Sequence, residues 1–93
     1  MEIGVGEGDL SNLLLRKGLA GIGFDLNPKA CRRNRRQIAD YIQLKRYEVL
    51  EQDFLTGELD RKADVIVCYM VIEHLEIERV DRLLARAASS LTP

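Results

Sequence analysis

A glycine-rich segment near the start of the chain has the composition of a nucleotide-binding loop. In EIGVGEGDL, residues 2–10, Gly4, Gly6 and Gly8 occupy alternate positions after a short apolar stretch. Glycine lets a backbone approach a ligand closely, and a dinucleotide fingerprint has glycine at its first, third and sixth positions. Counting from Gly4, the sixth position is Asp9, whose charge would repel a pyrophosphate at a helix start. The loop therefore favours a ligand without phosphates, and a turn needed only for tight packing is the alternative.

Two further acids follow apolar stretches where contacts to a ribose and a base are expected. Asp25 lies 21 residues after Gly4, and a carboxylate there can accept hydrogen bonds from both ribose hydroxyls. It could instead cap the next helix, although Asn27 is better placed for that. Asp53 could accept from an adenine amino group while Phe54 or Leu26 covers the ring.

One histidine and two cysteines complete the set of residues with reactive side chains. His74 is the only side chain that ordinarily titrates near neutral pH, so it could act as a general base on an oxygen or nitrogen nucleophile. Cys31 and Cys68 are far apart in sequence and are expected to be reduced thiols that pack in the core. No metal site is predicted from this set.

Apolar periodicity predicts elements that could position these residues. Strands are expected at residues 2–5, 20–25, 47–50 and 63–71, and helices at residues 9–17, 28–43 and 77–91. The order is βαβαββα, which predicts an α/β fold with a mainly parallel sheet of about four strands and helices on both faces. Ligands bind such sheets beyond the carboxyl ends of the strands, where the residues named above lie.

Two of these elements carry specific expectations about burial. The segment ADVIVCYMV is uncharged after Asp64 and rich in β-branched residues, which predicts a central strand buried on both faces. The last helix is expected to bury one apolar face and to place its arginines on the opposite side. That face consists of Ile77, Val80, Leu84, Ala87, Ala88 and Leu91.

A net charge of −1 conceals an uneven distribution of charge. Residues 16–46 carry nine Lys and Arg against two acids, whereas residues 47–93 carry five against ten. The basic residues concentrate in KACRRNRRQ, residues 29–37, which indicates either a phosphate or nucleic-acid patch or the solvated face of a helix. No aromatic residue is interleaved to stack on bases. The solvated face is therefore the preferred interpretation, and nucleic-acid binding is unsupported.

Length and hydropathy limit the class of protein. The 93 residues are enough for one small domain, and no apolar run approaches the length of a membrane helix. The start of the chain is acidic and glycine-rich, unlike a signal or transit peptide. We expect a cytoplasmic protein without membrane contacts.

Four segments, taken in order, resemble the motif series of class I S-adenosylmethionine-dependent methyltransferases, especially the group with a Glu-His-Leu signature. They are EIGVGEG, GIGFDLNP, EQDF and ADVIVCYMVIEHL. The resemblance implies a Rossmann-like, three-layer αβα fold, S-adenosylmethionine as cofactor, and methyl transfer to an unidentified small-molecule or macromolecular acceptor. It implies cofactor contacts at Glu2, Gly4, Gly6, Gly8, Asp25, Leu26, Asp53, Phe54, Cys68, Tyr69 and Met70, and leaves His74 as the catalytic candidate.

Members of that group usually continue before the glycine motif and after a segment like SSLTP. We therefore expect residues 1–93 to form a single partial domain, the cofactor half of the fold without its C-terminal strands. The fourth strand would then expose an edge through which chains could associate. A non-catalytic interaction module that uses this edge or the helix from Arg32 to Arg36 is the alternative function.

Overall fold

Strands and helices alternate along most of the chain in the computed structural model, which describes residues 1–93. The strands are β1 (Glu2–Ile3), β2 (Gly21–Asp25) and β3 (Tyr47–Glu51). The α-helices are α1 (Asp9–Arg16), α2 (Pro28–Gln37), α3 (Ala39–Gln43) and α4 (Ile77–Ser89), and a short 3₁₀ helix spans Ile72–His74.

The three strands form a parallel sheet in the order β1-β2-β3. Glu2 is opposite Gly23 in β2, and Gly23 is in turn opposite Val49 in β3. Parallel neighbours need crossover connections, which the helices between them provide. The predicted α/β class with a parallel sheet is confirmed, and β3 lies at an edge of the sheet.

Apolar clusters cover both faces of the sheet, which gives the predicted three layers. On one face, Leu83 of α4 belongs to a buried cluster with Ile3, Ile22, Phe24, Phe54 and Leu55. On the other face, Leu15 of α1 and Cys31 of α2 belong to a cluster with Val5, Ile38, Tyr47 and Val49. Burial of this apolar surface is the main favourable contribution to folding.

The region predicted as one long helix is divided at Ile38. Asn27 caps α2, since its side chain accepts from the backbone N–H groups of Lys29 and Ala30, and Pro28 occupies the first turn. Ile38 then leaves helical geometry, with φ −111° and ψ 24°, and its side chain is fully buried. The helical region therefore has its predicted ends at residues 28 and 43, but it is divided at Ile38 into α2 and α3 and is not the continuous helix predicted.

Residues 63–71 do not form the predicted central strand. Val67 makes a single parallel bridge to Glu2, in which the N–H of Ile3 donates to the Val67 carbonyl at 2.8 Å. This places the segment beside β1, on the side away from β2. No strand pairs with its outer edge, and Val65 and Tyr69 are 61% and 65% exposed. The predicted fourth strand and its burial on both faces were wrong because a β-branched run is buried only where neighbours cover it.

Helix α4 packs through a face that overlaps the predicted one only in part, since Val80 and Ala87 are partly buried. Leu83 is 3% exposed, whereas Ile77 and Leu84, both predicted to be buried, are 78% and 53% exposed. Arg79 and Arg86 lie one turn to either side of Leu83 and are partly buried. The packing face is therefore mixed, apolar at Leu83 and basic at its two ends.

Candidate functional site

The glycine loop connects β1 to α1 through backbone conformations that favour glycine. Gly4, Gly6 and Gly8 have φ of 79°, 55° and 98°, in the left-handed region that other residues seldom adopt. A Cβ at Gly4 would lie 2.6 Å from Cγ2 of Val71. The first glycine is thus required both for the turn and for close packing of the chain after residue 70.

Asp25, at the carboxyl end of β2, faces this loop. One carboxylate oxygen accepts from the backbone N–H of Gly6 at 3.3 Å, and the other accepts from the N–H of Asn27 at 2.9 Å. Asn27 is the cap of α2, so the alternative of Asp25 as that cap is not what the structure shows. A carboxylate oxygen can accept more than one hydrogen bond, so Asp25 is held in place and still able to accept from a ligand.

Two cavities meet at Asp25. The first has a volume of about 250 Å³ and is lined by residues from the ends of β2 and β3 and from α4, including Leu26, Asp53, Phe54 and Arg79. The second has a volume of about 360 Å³ and is lined mainly by the glycine loop. Four residues line both: Gly4, Asp25, Met70 and Val71. The two cavities are therefore parts of one cleft along the carboxyl ends of the strands.

The first cavity has an apolar floor and an acid on its wall. Phe54 is 4% exposed, and its ring meets that of Phe24 edge to face with centroids 5.6 Å apart. Asp53 accepts from the N–H of Leu55 at 2.9 Å and from Nη2 of Arg79 at 3.1 Å. A flat heteroaromatic ring with a donor group at its edge would match this arrangement.

The second cavity is acidic. Glu2, Glu7, Asp9 and Asp25 are among its lining residues, which include no Lys, Arg or His. Glu2 is 3% exposed and accepts from the hydroxyl of Tyr47 at 2.6 Å. Burial and this hydrogen bond to Glu2 raise the pKa of the Tyr47 phenol, so Tyr47 remains a donor at neutral pH. The cavity suits a cationic group and disfavours a phosphate.

Most of the residues predicted from the sequence come together in this cleft. Leu26, Asp53 and Phe54 line the first cavity, Glu2, Gly6 and Tyr69 line the second, and Gly4, Asp25 and Met70 line both. Gly8 and Cys68 line neither. Gly8 instead begins α1, and Cys68 packs beside the cluster that contains Ile3.

His74 lies at the first cavity and not at the second. Its side chain is 73% exposed, and Nε2 is 3.8 Å from a carboxylate oxygen of Glu73. The imidazole is largely solvated at the rim of the first cavity, and its role as a general base stays a prediction.

Both cysteines are free thiols. Burial raises the pKa of the Cys31 thiol, and burial together with nearby Glu73 raises the pKa of Cys68. Thiols with raised pKa values are poor nucleophiles at neutral pH. No group of three or more His, Cys, Asp or Glu side chains is arranged to hold a metal ion.

Arg79 is a lining residue that sequence reasoning missed, because it was expected on the outer face of the last helix. Arg79 lies four residues before Leu83, and Arg86 lies three residues after it. This helical spacing could have indicated that the three residues share one face.

The arginines of α2 are partly engaged within the chain. Arg33 pairs with Glu7 at 2.7 Å, and Arg35 donates to the carbonyl of Val49 at 2.9 Å. Arg32 and Arg36 are exposed. The interaction module that would use this helix stays a hypothesis. None of the helices is both long and apolar enough to span a bilayer.

Comparisons with known proteins agree on one family. Residues 1–93 match the family described as methyltransferase domain. An uncharacterized methyltransferase of Bacillus mycoides is 32% identical over 91 residues, covering 98% of this chain and 41% of that protein. The chain thus spans about two fifths of the length of this curated relative.

Solved structures show the same fold. Magnesium protoporphyrin IX methyltransferase of Synechocystis PCC 6803, determined with bound S-adenosylmethionine, superimposes with a TM-score of 0.83 at 23% identity over 97% of this chain and 43% of its own. Mitomycin 7-O-methyltransferase has a TM-score of 0.83 at 28% identity, over 99% of this chain and 27% of its own. With the family match over its whole length, the chain belongs to the methyltransferase domain family.

Proposed function

We propose that this chain binds S-adenosylmethionine and forms the cofactor site of a methyltransferase whose acceptor is unidentified. The observation that carries the proposal is the position of Asp25 between two unlike cavities. The first offers an apolar floor and Asp53, as an adenine would require. The second offers four carboxylates, of which only Glu7 is paired with an arginine. A ligand that joins a base, a ribose and a cationic chain without phosphates matches this order.

The relatives support the choice of cofactor. The Synechocystis enzyme, which has the same fold, was determined with S-adenosylmethionine bound. In this chain Asp53 would accept from the adenine amino group, Asp25 from the ribose hydroxyls, and the acids of the second cavity would face the positively charged end. The carboxylates that would repel the pyrophosphate of a dinucleotide are favourable here.

The protein's contribution to the reaction would be position and exclusion of water. Bound S-adenosylmethionine supplies a methyl group on a sulfonium sulfur for in-line transfer to a nucleophile. Tyr69 and Met70 lie at the wall of the second cavity, where they would limit the approach to that group. Holding two reactants in line contributes up to about 7–11 kcal/mol in favourable cases. A general base would be needed only for an acceptor that carries a proton, and His74 is the candidate.

Binding of S-adenosylhomocysteine to the 93-residue chain tests the proposal. We expect Asp25→Ala to raise the Kd more than tenfold, because two hydrogen bonds to a charged acceptor are lost. Asp25→Asn removes the charge but keeps one acceptor oxygen, for the N–H of either Gly6 or Asn27, so it disturbs the loop less than Asp25→Ala does. Asp40→Ala, which removes an exposed acid in α3 away from the cleft, is the matched control.

Two results would contradict the proposal. One is no binding at millimolar S-adenosylhomocysteine in a sample that circular dichroism shows to be folded. The other is a thermal shift with NAD and none with S-adenosylhomocysteine, which would favour a dinucleotide site. Equal affinities for the original chain and Asp25→Ala would reject the ribose assignment alone.

We also propose a cytoplasmic location, supported by two free thiols without a disulfide. A fluorescent fusion that localised to a membrane or an oxidising compartment would oppose it.

A further inference from the structure

Two arginines on α4 hold the loop that follows β3. This loop, residues 52–57, is named the base loop because it carries Asp53 and Phe54, the two residues proposed to contact the adenine. Arg79 donates from Nη2 to a carboxylate oxygen of Asp53 at 3.1 Å. Arg86 donates to the carbonyl of Gly57, and its guanidinium carbon lies 5.5 Å from the centre of the Phe54 ring. The base loop is thus fixed to α4 near its start and at its end.

The contact between Arg79 and Asp53 leaves capacity for a ligand. A bidentate pair would engage both carboxylate oxygens with one guanidinium. Here Oδ1 accepts from the Leu55 N–H, and Oδ2 accepts a single hydrogen bond from Arg79. Oδ2 can accept a second hydrogen bond. The carboxylate is therefore restrained on two sides while one oxygen remains able to meet a donor in the first cavity.

Stability of the fold does not explain this geometry well. The side chain of Arg79 is 43% exposed, so a single ion pair at this site contributes little to folding. Its Nε is nevertheless buried without a hydrogen-bond partner, which is unfavourable. Arg79 also lines the first cavity together with Asp53. These facts point to a role at the cavity rather than in the core.

We propose that Arg79 is a positioning residue for base recognition, which orients Asp53 so that its carboxylate selects a ligand with an exocyclic amino group. The inference rests on the proposed function, since it needs an adenine in the first cavity. The side chain of Arg79 donates to Asp53 and makes no hydrogen bond to Asp25 or to the glycine loop, so Arg79 acts through Asp53. Its loss should therefore reduce discrimination between bases and leave the remaining contacts of the ligand intact.

The test compares two ligands that differ at one group. S-adenosylhomocysteine carries the 6-amino group, and its 6-desamino purine analogue has hydrogen there. For the original chain we expect the Kd of the analogue to be about tenfold higher, because one hydrogen bond to a charged acceptor is lost. Arg79→Gln should lower the ratio of the analogue's Kd to that of S-adenosylhomocysteine to about threefold or less. The ratio falls because the Kd of S-adenosylhomocysteine rises, while the Kd of the analogue changes by less than about twofold.

Two further variants separate positioning from structure. Arg79→Lys keeps the charge and one donor and should restore an intermediate ratio; it also carries the test if Arg79→Gln does not fold. Arg82→Gln removes an exposed arginine from the same helix and should leave the ratio unchanged. Thermal unfolding of each variant shows whether a change in Kd follows a change in stability.

The outcomes distinguish the two proposals. A ratio that stays near tenfold in Arg79→Gln, or equal rises in both Kd values, would overturn the role of Arg79 and leave the cofactor assignment standing. No binding of either ligand by the folded original chain would instead overturn the proposed function and the inference with it. A lowered ratio of the two Kd values in Arg79→Gln, with the Kd of the analogue unchanged, supports the inference.

Discussion

Strand β2 and the segment at residues 63–71 are both apolar runs that end at the cleft, yet they differ in burial. β2 has a hydrogen-bonded strand on each side, and Phe24 within it is 1% exposed. The later segment makes only isolated bridges, from Val67 to Glu2 and from Ala63 to Leu91, and Tyr69 within it is 65% exposed. Its composition is the more strand-like of the two. The difference shows that neighbours, and not composition alone, determine whether an apolar run becomes a buried strand.

The largest expected difference between the two regions is in the cost of removing an aromatic ring. Phe24→Ala should lower the free energy of unfolding by about 3–5 kcal/mol, because it leaves a cavity beside Phe54. Tyr69→Ala should change it by no more than about 0.5 kcal/mol, because the ring is largely solvated. Chemical denaturation followed by circular dichroism measures both. Equal losses would mean that the segment is packed in solution.

A smaller effect is expected where the two regions touch, at Gly4 and Val71. Gly4→Ala should destabilise the fold by about 1–2 kcal/mol through its left-handed backbone, with a further loss from the contact with Val71. Adding Val71→Ala to the Gly4→Ala chain should recover the stability lost through the contact with Val71, but not the stability lost through the left-handed backbone. The double-mutant cycle gives the coupling. If the changes in the free energy of unfolding were strictly additive, residue 71 would not be in contact with a side chain at position 4.

The smallest effect, with no change in stability, is expected in the reactivity of the two thiols. Cys31 of α2, whose thiol donates to the Asp25 carbonyl at the end of β2, is fully buried, whereas Cys68 within residues 63–71 is partly exposed. Cys68 should therefore be alkylated faster by iodoacetamide. Because burial raises the pKa of both thiols, their thiolate fractions are small at neutral pH and should rise about tenfold per pH unit below the pKa. Mass spectrometry of the modified chain measures the two rates, and faster modification of Cys31 would contradict the comparison.

Features governed by neighbouring residues in sequence could be predicted well. The cap at Asn27, the strand ending at Asp25 and the glycine turn each depend on a few adjacent residues with distinct conformational preferences. The position of the acids 25 and 53 at the cleft could also be predicted, because parallel strands bring their carboxyl ends to one edge of the sheet. These residues line the cleft as expected.

Features governed by distant contacts could not be predicted. The apolar periodicity of α4 indicated a face through Ile77 and Leu84, but the base loop and the sheet select the face of Leu83 instead. The place of Arg79 at the cavity could not be predicted for the same reason, since its partner Asp53 is 26 residues away. In each case tertiary packing overrides local preference.

The hydrogen bond between the Gly6 N–H and Asp25 has a consequence for how a ligand would be received. With Asn27 holding the other oxygen, the carboxylate already has one orientation in the folded chain. The conformational entropy of that side chain is lost during folding and not on binding, so preorganisation reduces the penalty of ordering the site. It also couples the glycine loop to Asp25: a movement of the loop at Gly6 would remove one of the two hydrogen bonds that orient the carboxylate.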